Sequence, residues 1–133
     1  MKVFVFGNEL VAKDSLPVKL LPDLKKKFPS IQFIRVDPAE NWADDEKEII
    51  ILDTVEGLKK VTIFNSLDEF QKPPNVSLHD YDVYTDLLFR KKLGLIEHFT
   101  VIGIPYRHDR SIISDVTSSV NHLIDKKETA IVI

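Results

Sequence analysis

Ile49-Ile50-Ile51-Leu52 is an unbroken apolar run, stopped by Asp53 and too short for a helix buried on all sides. A strand that alternates apolar and polar residues has one wet face; a strand without alternation is covered on both. Such strands belong to α/β proteins, where helices pack on either side of a sheet. Lys2 to Phe6 reads the same way, apolar at nearly every position and closed by Gly7. These runs predict a central sheet, and the rest of the chain has to supply its cover.

The covering elements are legible from spacing. Leu20, Leu21, Leu24 and Phe28 recur at helical intervals between Ser15 and Phe28. Asp14 or Ser15 can cap that helix, Pro17 lies in its tolerant first turn, and Pro29 stops it. Pro22, in the interior, removes one backbone bond and is expected to bend it. Ile31 to Val36 is a second strand, followed by an acidic loop from Pro38 to Asp45, then the strand from Glu48 to Asp53. Only six residues, Thr54 to Lys59, lead to the next strand, Lys60 to Phe64. A parallel crossover needs about a dozen residues or more, so this fourth strand is expected to run antiparallel to its predecessor. After a surface loop from Asn65 to Val76, Ser77-Leu78-His79-Asp80 resembles a capping box that opens a helix with Val83, Tyr84, Leu87 and Leu88 on its apolar face. Phe99 to Ile104 is a fifth strand. Ser111 to Asp125 is a last helix with Ile112, Ile113, Val116, Val120, Leu123 and Ile124 inward, and Ala130 to Ile133 an apolar tail. The expectation is one α/β domain over residues 1–133: a five-stranded mixed, twisted sheet with helices on both faces.

Charge and composition narrow the function. Eighteen Lys and Arg against 21 Asp and Glu is too even a balance for a nucleic-acid or anionic-membrane binder. Lys25-Lys26-Lys27 and Lys126-Lys127 sit at predicted helix ends, where cations complement the dipole. The absence of cysteine excludes disulfides, thiolate catalysis and Cys-type zinc sites. No segment approaches a membrane span or signal sequence, so a cytoplasmic protein is expected. There is also no Gly-x-Ser-x-Gly elbow, phosphate-binding Gly-rich loop, Gly-x-Gly-x-x-Gly or His-Glu-x-x-His.

What remains is a set of oxygen and nitrogen donors at the ends of strands. Asp53 closes the most hydrophobic strand, where a carboxylate has to be solvated at the sheet edge, hydrogen-bonded by loop amides, or bound to a cation. Asp14 precedes a helix and is either a cap or a ligand. His79 is placed in the first turn of the next helix, where the positive end of the dipole keeps an imidazole neutral and able to bind a metal. His98 and His122 are expected in solvent, whereas His108, after the fifth strand, and Asn8 and Glu9, after the glycine turn, are candidate substrate contacts. Asp37 ends the second strand and is a further candidate or a turn former before Pro38. Two carboxylates and an imidazole from separate connections can converge only if the strands lie side by side, the arrangement that an open α/β sheet provides at its carboxyl edge. Such a set suits nickel, zinc or iron with open positions.

In order along the chain, these features resemble the hydrogenase maturation endopeptidases. The likeness is carried by the strand ending Gly7-Asn8, the acidic Asp14 six positions after that Asn, Ile51-Leu52-Asp53 followed by Thr54-Val55-Glu56-Gly57, Ser77-Leu78-His79-Asp80, and Val101-Ile102-Gly103-Ile104-Pro105. The resemblance implies a phosphorylase/hydrolase-like α/β fold and a metal-dependent, aspartyl-type endopeptidase. Its implied partner is the large-subunit precursor of a nickel-iron hydrogenase, whose C-terminal extension is removed after nickel insertion. It further implies that Asp14, Asp53 and His79 form the catalytic, metal-sensing set, with nickel brought by the precursor and zinc or cadmium able to stand in for it. A monomer is expected. Where the family often has a second acidic residue, a glycine and an Asp-Gly-Gly-Thr run, this chain has Lys13, Pro17 and Asp37-Pro38-Ala39-Glu40, so the loop that would cradle substrate is altered. Two rivals are a noncatalytic nickel-binding assembly factor that kept the ligands, and a phosphoacceptor receiver domain. The receiver would want an acidic pair where Gly7-Asn8 stands and a helix directly after Asp53.

Overall fold

The structure, a computed structural model, describes residues 1–7, 10, 15–36, 46–66, 77–78, 81–106 and 111–132. Along the chain run β1 (Lys2–Val5), α1 (Leu16–Lys27), β2 (Gln32–Arg35), β3 (Glu48–Glu56), β4 (Thr62–Phe64), β5 (Ser77–Leu78), α2 (Tyr81–Lys92), β6 (His98–Ile104) and α3 (Ser111–Val132). The main sheet has the order β2-β1-β3-β6-β4. β2, β1, β3 and β6 are parallel, and β4 closes one edge antiparallel to β6. It is the mixed α/β sheet expected from the short apolar strands.

The two faces follow from the period of two along each strand. Val3, Val5, Leu52, Ile102 and Ile104 join Leu20, Leu21 and Leu24 of α1 and Ile112, Val116 and Val120 of α3 in one buried cluster. Phe4, Phe6, Ile49, Ile51, Val55, Phe99 and Val101 join Leu87 of α2, Ile96 and Phe64 in the other. Helices therefore cover both faces, and the unbroken apolar runs are the strands that feed both clusters. In α1, Pro17 lies in the first turn and Pro22 is inside the helix on its exposed side, so its missing donor costs no buried partner. Three lysines fill the last turn of α1, where they complement the dipole.

Several expectations need correction. β3 does not stop at Asp53: it continues to Glu56, and Val55 and Glu56 pair with Leu78 and Ser77 of β5, antiparallel. The β-branched Thr54 and Val55 carry the extended backbone onward, and an unpaired ladder past the main sheet recruits a partner. The same pairing overturns the capping-box reading of Ser77: Ser77 and Leu78 form a strand, and α2 begins only at Tyr81. The fourth strand is shorter than expected, Thr62–Phe64, and its antiparallel neighbour is β6 and not β3. A short link cannot cross the sheet by a helix, but it can step past an occupied neighbour, which periodicity does not reveal. α3 runs past Asp125 to Val132, so Ala130 to Val132 extend the helix and Lys126-Lys127 are not in its last turn. No helix among the described residues is long and apolar enough to cross a membrane.

Candidate functional site

Open parallel sheets bind ligands outside the carboxyl ends of their strands, at the point where successive connections leave in opposite directions. Here that point lies between β1 and β3: the chain moves from β1 outward to β2, then returns to β3 on the other side of β1. Val5 is in register with Leu52, and the Phe6 N–H donates to the Leu52 carbonyl at 3.0 Å. Asp53 is the next residue of β3. It therefore sits at the switch point, beside the place where the chain leaves β1 through Gly7.

Asp53 is fully buried, which differs from the solvated sheet-edge position open to a strand-terminal carboxylate. Its Oδ1 accepts the backbone N–H of Thr54 at 2.8 Å. By alternation its side chain shares the α2 face with Ile49, Ile51 and Val55. A carboxylate so enclosed has lost its water, and burial of that kind is tolerated only where hydrogen bonds, a countercharge or a cation compensates. The amide hydrogen bond fixes the carboxyl plane relative to the strand. Of the other candidates, Asn8, Glu9, Asp14, Asp37, His79 and His108 lie outside the described residues. Among the described residues, no group of three or more His, Cys, Asp or Glu stands close enough to hold a metal ion. His98 and His122 are exposed, as expected of histidines without a role in the site.

Two residues beside Asp53 belong to the sequence motifs but were not site candidates. Gly103 of β6 is its register partner, and a Cβ there would stand 2.8 Å from Val55 Cγ2, 2.9 Å from Leu58 Cδ1 and 3.0 Å from Phe64 Cε2. The strand at this point has room for a hydrogen atom and nothing larger. A glycine inside an otherwise apolar strand is the signal that marks such close approach. Thr54, the second, is fully buried on the opposite face, and its Oγ1 has no hydrogen-bond partner among the described residues. An unsatisfied buried hydroxyl costs about 1–3 kcal/mol relative to an apolar group of the same shape. Thr54→Val should accordingly stabilise the protein by about 1 kcal/mol, read as a rise of a few degrees in thermal midpoint. An unchanged or lower midpoint would show that the hydroxyl is satisfied in solution.

Neither a protein-family model nor a curated protein matches the sequence. Among solved structures, the chain is similar to the [NiFe] hydrogenase maturation protease HybD from Thermococcus kodakarensis, at 21% identity, with a TM-score of 0.63 over 94% of this chain and 98% of that one. At that identity the likeness establishes the architecture: the chain has the α/β fold of a hydrogenase maturation protease.

Proposed function

We propose that the protein is a hydrogenase maturation endopeptidase, removing a C-terminal extension from the large-subunit precursor of a nickel-iron hydrogenase once nickel is in place. The observation that carries the reading is Asp53: a fully buried carboxylate at the switch point of this fold, held by the Thr54 amide. The fold-level likeness to a maturation protease agrees with it. So does the ordered set of Asp14, Asp53 and His79. β1 gives way to Gly7 beside Asp53, and Leu78 of β5 pairs with Val55, two residues beyond Asp53.

In this reading nickel belongs to the substrate, and it polarises the scissile carbonyl or activates water when the precursor docks. Asp53 contributes a negative charge whose carboxyl plane the Thr54 amide has already set. Asp14 and His79 complete the donor set. The dry surroundings of Asp53 would strengthen its attraction for a metal cation held there. With no cysteine and no serine-hydrolase motif, no protein nucleophile is expected.

The test is incubation with the nickel-loaded precursor, followed by intact mass. Loss of the C-terminal extension is expected from the loaded precursor and not from the nickel-free one, and serine-protease reagents should have no effect. Equal processing of both would sink metal sensing. Binding of the loaded precursor without any cleavage would make the protein a noncatalytic assembly factor.

A further inference from the structure

The flank of Asp53 that faces β6 is closed by side chains from elsewhere in the chain. Asp53 and Gly103 are register partners, and neighbouring strands stand about 4.8 Å apart, so a side chain at 103 would lie beside the carboxylate on the α2 face. Gly103 supplies none. The space is taken by Val55, Leu58 and Phe64, whose Cγ2, Cδ1 and Cε2 atoms stand 2.8, 2.9 and 3.0 Å from the place a Cβ would have. All three pack in the apolar cluster of Ile49, Ile51 and Leu87. They differ in exposure: Val55 and Phe64 are buried, whereas Leu58 is half-buried. Of the three, only Leu58 reaches solvent, so on this flank it stands between the carboxylate and water.

The backbone brings Leu58 to this place. β3 ends at Glu56, and Gly57 takes φ +91, a conformation natural to glycine, at the point where the chain leaves the strand. The next residue, Leu58, returns to the sheet and seats its Cδ1 over Gly103, level with Asp53. One glycine thus turns the leucine back, and another, by lacking a Cβ, receives it. The arrangement matters to the acid it flanks. Asp53 is fully buried, and its Oδ1 accepts the Thr54 N–H at 2.8 Å. Water admitted beside it would screen its charge and compete for that amide, because attraction between charges weakens as the local dielectric rises. Truncating Leu58 to alanine removes the atom seated on Gly103 and opens that route.

We infer that Leu58 is a positioning residue: seated on Gly103, it keeps water off Asp53 and so preserves the charge and orientation of the carboxylate. The part this plays in cleavage rests on the proposed function. Leu58→Ala should speed hydrogen exchange of the Thr54 amide about tenfold and lower kcat for the nickel-loaded precursor about tenfold, with KM unchanged. Leu58→Met refills the space with a flexible side chain and should restore both. Leu123→Ala is the control, since it truncates a half-buried leucine packed against the cluster on the other face. It should lower the thermal midpoint by a similar few degrees and show neither effect. Thr54 exchange no faster in Leu58→Ala than in Leu123→Ala overturns the inference, and so does failure of Leu58→Met to restore it. A raised KM with native kcat makes Leu58 a substrate contact, and native values of both leave it without a part in cleavage; either result overturns its positioning role. If the native protein cleaves no precursor, the peptidase reading fails and amide exchange alone decides: faster in Leu58→Ala and restored in Leu58→Met, it upholds Leu58 as the shield of Asp53.

Discussion

Asp53→Asn should reduce cleavage of the nickel-loaded precursor by about a thousandfold or more while leaving the fold intact. The substitution preserves volume, and the asparagine carbonyl can still accept the Thr54 N–H that Oδ1 accepts at 2.8 Å. What it removes is the negative charge. A metal-bound, polarised carbonyl depends on its donor set for several kcal/mol of transition-state stabilisation, and about 4 kcal/mol corresponds to a thousandfold in rate. Stability should change little, because the amide keeps both the side-chain volume and the Thr54 hydrogen bond. This combination separates a functional carboxylate from a structural one. A structural Asp53 would lose stability first and activity only in proportion. Calorimetry with cadmium supplies the second readout: one site in the native protein and none in the variant. Full activity in the variant would remove Asp53 from the mechanism.

Gly103→Val has the largest expected effect on stability. The first added carbon alone meets Val55, Leu58 and Phe64 at 2.8 to 3.0 Å, from β3, the β3–β4 link and β4. Relief in one direction tightens another, since β3 and β4 both pair with β6 at this residue through Asp53 and Thr62. Inserting a single methylene into a packed core costs about 1–3 kcal/mol, and valine inserts more, so roughly 3 kcal/mol or above is expected. For a domain of this size that lowers the thermal midpoint by roughly 10 °C. Gly103→Ala should give a smaller loss of the same sign. In both variants cleavage should fall further than stability explains, because β6 holds β3 in register at Asp53. A midpoint within a degree or two of the native protein would show that the sheet opens at β4 without cost.

Much of the fold was legible because the forces that set it are local in sequence. The apolar runs at Val3 to Phe6 and Ile49 to Leu52 had to be buried strands. Leu20, Leu21 and Leu24, and Ile112, Val116 and Val120, had to be helix faces, and both triplets are buried where that spacing puts them. The short link after β3 required an antiparallel strand. These readings rest on periodicity and chain length, which survive without knowledge of neighbours.

Neighbours decided the rest. Nothing in Ser77-Leu78 distinguishes a helix start from a strand; the projecting end of β3 at Val55 and Glu56 offered backbone partners, and pairing with them fixed the choice. The length of the link after β3 gave the direction of β4 but not its place, which required β6, more than thirty residues later, to occupy the position beside β3. At the candidate site, Asp53 could be picked out as a charge ending an apolar run. Its complete burial, its amide hydrogen bond and its alignment with Gly103 are properties of the assembled sheet. The sequence by itself determined which residues are apolar and at what interval, and hence an α/β sheet with an acid embedded in it. Only tertiary structure decided what lies beside that acid, because register between strands is a contest among distant segments for the same hydrogen bonds and the same volume.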